Sequence, residues 1–277
     1  MQKIFPPFLY GLLLLLTAGC NPEPVAPPSG DSITKADREI LGERIAELIL
    51  TDSAQYPILP NAGADTLVYN FVRQLYNQAT TVIRTDIDSP AENRWQRDRL
   101  WPVSILSDDT AADAFTLPGG HLFITTGFLK SMEKEFELFY VLSFEANLID
   151  GDYLRDRLIA EYNTVNLRNL INGAESSNGI GTRQVMQDIT NFTFDSDISA
   201  RIDELTVPSI CRTSLYRPDG VSDIIADTGE YADLWLEKRI SYGGRESRLL
   251  QLTEADGNCG SLRGNGAYEE NVLNVLD

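Results

Sequence analysis

The chain has 277 residues, 43% hydrophobic and 23% charged, with a formal net charge of −18. That length and apolar content support one sizeable packed domain or two small ones. The acidic balance excludes the basic footprint that nucleic-acid phosphates demand, and it argues against electrostatic adhesion to anionic lipid.

Residues 1–20 read as a targeting segment. Lys3 supplies a positive start, an apolar run follows from Ile4 to Leu16, and Thr17-Ala18-Gly19-Cys20 closes it. A hydrophobic stretch this short, ended by small residues, is expected to be a signal peptide rather than a span. The cysteine directly after Ala18-Gly19 makes it similar to a bacterial lipoprotein signal. That likeness implies lipidation of Cys20 and a place in the bacterial envelope, anchored by lipid alone. An ordinary signal peptide with an incidental cysteine, or a short anchor, is the alternative. Asn21 in place of aspartate points to the outer rather than the inner membrane. Residues 21–31 hold four prolines and Gly30 and are predicted to be an extended tether. Residues 32–277 are expected to form one domain. Cys211 and Cys259 remain; in an exported protein they are candidates for a disulfide, with two free thiols as the alternative.

Asp31 or Ser32 is expected to cap a first helix, in which Ile40, Leu41, Ile45, Leu48 and Ile49 repeat at helical spacing up to about Asp52. Tyr56–Ala64 carries two prolines and a glycine and reads as a loop. Asp65–Val82 is predicted to be a second amphipathic helix, Asp86–Arg99 a loop, and Leu100–Leu106 a strand. Phe115–Gly127 reads as a strand ending in a turn, followed by a helix over Glu135–Ile149. Further helices are predicted over Tyr153–Leu170 and Thr182–Phe192, and from Asp195 or Ser196 to Pro208, which kinks or ends the last one. Short helices follow through Ile225, over Tyr231–Ile240 and over Glu246–Leu252, then a last apolar segment over Glu269–Leu276. The fold class is therefore α+β and mostly helical, with a small sheet.

Asp113-Ala114-Phe115-Thr116-Leu117-Pro118-Gly119-Gly120-His121-Leu122-Phe123-Ile124-Thr125-Thr126-Gly127, followed by Val141-Leu142-Ser143-Phe144-Glu145-Ala146-Asn147-Leu148, carries a likeness. It resembles the core of zinc endopeptidases of the HtpX and CAAX-prenyl-protease type. There an N-A-F-x-L-P-G-G strand precedes a helix bearing H-E-x-x-H. The resemblance implies a zincin-like peptidase domain whose small sheet packs on the active-site helix. In such a helix two imidazoles four residues apart hold Zn²⁺, and the glutamate between them deprotonates the bound water.

Here the histidine positions are Phe144 and Leu148, so only Glu145 survives, as a vestige of the catalytic pair. A phenyl ring and an isobutyl group cannot ligate zinc; four residues apart they form an apolar pair. The chain has one histidine, His121, so no two-histidine site can be assembled elsewhere. The third ligand of the family, a glutamate, aligns with Arg201, or with Ile202 if the register slips by one; Asp203 keeps a supporting acid. Tyr242 stands where a further family histidine would be. The resemblance thus implies a degenerate centre with no metal and no other cofactor, zinc expected to be absent.

An unpaired buried carboxylate is costly. Arg201 is therefore expected to approach Glu145 as a substitute for the metal charge, unless Glu145 faces solvent in an open cleft. Asp108-Asp109 reads as a turn or, less simply, a Ca²⁺ site. The resemblance also implies that Gly120, His121, Leu122, Phe123 and Ile124 form a peptide-binding edge strand. The expected function is that of a non-catalytic, peptidase-like lipoprotein that binds a peptide or protein client as chaperone, assembly factor or adaptor. The alternatives are an active metalloendopeptidase with unconventional ligands, and a structural domain with a closed cleft.

Overall fold

Thr34 opens the first helix. Its side chain accepts from the Asp37 amide, and the Asp37 carboxylate accepts from the Thr34 amide, a reciprocal capping box. Ser32 has no acid three residues on to return the bond, which is why the cap falls later than predicted. The computed structural model describes residues 32–84, 100–132, 134–174, 179, 181–212, 239 and 266–276. Lipidation of Cys20, the tether, the loop at 86–99, the Cys211–Cys259 bridge, Tyr242 and the predicted helices between 218 and 252, apart from Arg239, lie outside the described residues.

Helix α1 (Lys35–Thr51) is followed by α2 (Asp65–Arg84). Three short strands come next: β1 (Val103–Leu106), β2 (Ala114–Thr116) and β3 (Leu122–Thr125). The single strand predicted over 115–127 is thus a hairpin. Its alternating apolar residues hide the turn, which Gly119 and Gly120 make by both adopting φ +93°, a conformation costly for any residue with a Cβ. Thr125 ends β3 and caps α3 (Thr126–Ser131), its hydroxyl accepting from the Phe128 amide at 3.1 Å. Helices α4 (Glu135–Asp150), α5 (Tyr153–Ile171), α6 (Thr182–Asn191) and α7 (Ser196–Arg212) follow. Pro208 lies inside α7 and does not end it. The chain closes with α8 (Gly266–Tyr268), a π-helical stretch (Glu269–Leu273) and α9 (Asn274–Leu276). The described part is α+β and mostly helical. No described helix is long and apolar enough to cross a membrane.

The sheet order is β1-β3-β2, with β1 parallel and β2 antiparallel to β3. Val103 stands opposite Leu122, and Phe115 opposite Phe123. Helix α2 touches β1, α4 touches β2, and the two helices pack on each other. Helix α4 is apolar on nearly every side and is buried from Phe136 to Ile149 apart from Glu137, as expected of a helix enclosed in a core.

This arrangement corrects one expectation. Gly120 to Ile124 is not an edge: β3 is the central strand, paired on both sides. At each true edge, outward backbone groups are engaged. Beside β1, the Leu59 amide donates to the Ile105 carbonyl at 2.8 Å, and the Tyr69 hydroxyl accepts from the Ile105 amide at 3.2 Å and donates to the Leu59 carbonyl at 2.9 Å. Beside β2 stands the side chain of Glu145. An added strand needs free amides and carbonyls, and at Ile105 and Thr116 outward groups are already engaged.

Helix α1 reaches the β2–β3 turn at Gly42. A Cβ there would lie 1.6 Å from the Pro118 carbonyl oxygen. In an open helix Gly→Ala stabilises by up to about 1 kcal/mol. Gly42→Ala should do the reverse and cost about 1–3 kcal/mol, the usual penalty for overpacking. Thermal unfolding of that variant checks the sign.

Candidate functional site

Helix α4 carries the residues singled out by the sequence. Phe144, Glu145 and Leu148 each have 0% relative exposure. Glu145 is therefore not in an open cleft. Its carboxylate has two partners, one on each oxygen. Oε2 accepts from the Thr116 backbone amide at 3.0 Å, and Oε1 accepts from Arg239 Nε at 3.0 Å. The Thr116 amide is available because β2 is antiparallel. Asp113 and Leu117 face β3, through the Thr125 amide to the Asp113 carbonyl and the Leu117 amide to the His121 carbonyl, so Thr116 faces away.

Arg239 is 1% exposed and is held from behind. Its Nη1 donates to the carbonyls of Ile189 at 3.0 Å and Phe192 at 3.5 Å. These lie at the C-terminal end of α6, where the last carbonyls of a helix lack intrahelical partners. The Arg239 carbonyl in turn accepts from the Phe194 amide at 3.3 Å. One guanidinium thus closes α6 and neutralises Glu145. Burial pushes the Glu145 carboxyl above the usual glutamate range, while the Arg239 charge and the Thr116 amide pull it back.

Arg201 does not take this part. It lies on the exposed face of α7, whereas Ile202 and Asp203 are buried. Successive helical residues are about 100° apart, so Arg201 and Asp203 cannot both face α4. Ile202 is the residue that enters the core. Asp203 accepts from the Tyr140 hydroxyl at 2.7 Å. One turn on, the Asn147 amide nitrogen donates to Thr206 Oγ1 at 2.9 Å. Tyr140 also meets Phe144, ring centroids 6.3 Å apart. Asp203 is therefore a strut between α4 and α7.

His121 sits in the hairpin turn, its Nε2 3.0 Å from Ser104 Oγ and its ring stacked on Phe123 at 4.4 Å. Burial lowers its pKa to about 4, so it is neutral at ordinary pH. Asp108 and Asp109 make a turn. Asp108 Oδ1 accepts from the Thr110 amide and hydroxyl at 2.9 and 2.7 Å and from the Ala111 amide at 3.1 Å, and Asp109 holds Thr126 Oγ1 at 2.6 Å and Lys130 Nζ at 2.9 Å.

The donor set around Glu145 does not fit zinc. The two flanking positions are hydrocarbon, and the carboxylate is engaged by a cation and an amide. No group of three or more His, Cys, Asp or Glu side chains able to hold a metal comes together among the described residues. Sequence reasoning missed Arg239. It stands 94 residues from Glu145 in a stretch without a motif. The one available signal was the requirement that a buried carboxylate be paired, and 23 Lys and Arg residues satisfy that in principle. Comparison with protein-family models and with curated proteins finds no match to the chain.

Proposed function

We propose that this chain is a non-catalytic, zincin-like lipoprotein of the bacterial envelope, similar to HtpX-type peptidases but with the peptidase centre converted into core. The reading makes it a scaffold or adaptor, tethered through Cys20, that meets a protein or peptide client on its outer surface. The observation that carries it is the Glu145–Arg239 pair. A guanidinium stands beside the glutamate that would activate water, between two positions that offer only hydrocarbon. The central place of β3, paired on both sides, leaves Gly120–Ile124 no open edge for strand addition by a client.

Metal analysis together with a protease assay tests this. The purified chain should hold far less than one zinc per molecule, and added zinc should not elicit cleavage of unfolded protein. Stoichiometric zinc with proteolysis abolished in Glu145→Gln would establish the active-metalloendopeptidase alternative instead.

A further inference from the structure

Helix α6 ends at Asn191, where backbone carbonyls run out of intrahelical donors. Besides Arg239, the Ile189 carbonyl meets only the Phe192 amide, at 3.4 Å. Helix α4 brings Glu145 to the same place from the other side, among apolar neighbours. Its Oε2 is taken by the Thr116 amide, which leaves Oε1 for a cation. The result is a set of three acceptors, one of them charged, enclosed in the core. They meet Arg239 at two different nitrogens. Nε donates to Oε1 at 3.0 Å, and Nη1 donates to the Ile189 and Phe192 carbonyls at 3.0 and 3.5 Å.

We propose that this junction of α4 and α6 is a receptor selective for the guanidinium group, filled in the native chain by Arg239, and that it takes a free alkylguanidinium when that side chain is cut back. The site rests on the reading that a cation, and not a metal-bound water, closes the α4 centre. Selectivity follows from geometry. A guanidinium is planar and sends its N–H bonds outward from separate nitrogens in fixed directions, whereas an ammonium holds all its donors on one atom. An ammonium here gives up at least one charge-assisted bond and leaves an acceptor buried without it. Ca²⁺ takes roughly six to eight oxygens, and structural Zn²⁺ takes about four ligands, mostly nitrogen or sulfur, so three oxygens suit neither. Truncation to alanine removes Cγ, Cδ and the guanidinium, the same heavy atoms as ethylguanidinium. A core cavity left by a shortened side chain can take a small molecule of matching shape.

Thermal melts of Arg239→Ala in ethylguanidinium, up to about 20 mM and far below denaturing levels, test the assignment. A saturable rise in melting temperature is expected; a variant that is unfolded by itself should regain a cooperative melt in the ligand. Propylammonium, of similar length, should bind about tenfold more weakly, since a charge-assisted bond is lost. The Glu145→Gln/Arg239→Ala chain has no stranded charge and should fold, yet bind ethylguanidinium about tenfold more weakly for the same reason. The wild-type chain, its site filled, should show no rise. Any of four results overturns the proposal: no saturable rise in Arg239→Ala, an equal rise with propylammonium, an equal rise in the double variant, or an equal rise in wild type. The zinc and protease measurements use the wild-type chain. Failed rescue with a zinc-free wild type therefore strikes this receptor alone, and stoichiometric zinc strikes the reading of the α4 centre.

Discussion

An Arg239→Met chain should unfold about 3–5 kcal/mol more easily than wild type at neutral pH, the usual cost of removing one partner of a buried ion pair. Two losses combine. Glu145 keeps only the Thr116 amide, the Phe192 carbonyl loses the Arg239 donor, and the Ile189 carbonyl is left with the Phe192 amide. Typical domains have about 5–15 kcal/mol in all, so the variant approaches the limit of folding. Glu145→Gln in the same chain removes the stranded charge and should recover most of the loss. The pH dependence follows from sign. Without Arg239, burial holds the Glu145 pKa further above its ordinary value of 4.5. A carboxyl raised in the folded state keeps its proton after the unfolded chain has lost one. The penalty is therefore absent below the unfolded pKa and grows as pH rises through the folded one. Denaturant melts at pH 4 and pH 7.5 should show a smaller deficit at the lower pH. A deficit that is equal at both, or larger at pH 4, would contradict an unpaired buried Glu145.

Phe144→Ala should cost about 3–5 kcal/mol and Leu148→Ala about 2–5 kcal/mol, the range for truncating fully buried side chains. Both side chains are wholly enclosed, and Phe144 also loses its contact with Tyr140, which Asp203 holds in place. The size of the effect separates two pictures. In an open cleft these residues would line solvent, and surface changes of that kind fall within about 0.5 kcal/mol. Guanidinium denaturation of the two single variants, with Arg201→Ala as an exposed comparison on α7, measures the difference.

Much of the helical layout was legible because it rests on local rules. The apolar spacing in α1 and α2, the run over Glu135–Ile149 and the polar breaks between helices all act over a few residues. The hairpin was less legible. Apolar residues flank the turn closely on both sides, from Phe115 to Leu117 and from Leu122 to Ile124, and only Pro118-Gly119-Gly120 marks it. Pro208 left a kink or an end to α7 equally open, and the helix runs past it. At the site, the absence of imidazole on either side of Glu145 could be read directly from Phe144, Leu148 and the single histidine. The choice between Arg201 and Ile202 could not, because it turns on the rotation of α7 against α4.

What the sequence by itself determined is the chemistry that Phe144–Leu148 can offer: one carboxylate, at Glu145, no imidazole beside it, and apolar side chains at Phe144 and Leu148. Composition and spacing suffice for that, since a side chain's donor set does not depend on its surroundings. Only the tertiary structure decided what became of that carboxylate. Its partners are a backbone amide on a strand edge and a guanidinium 94 residues away, and pairing at that range is set by packing. The same packing put β3 in the middle of the sheet, paired on both sides, so the stretch that looked ready to hold a peptide is not an edge.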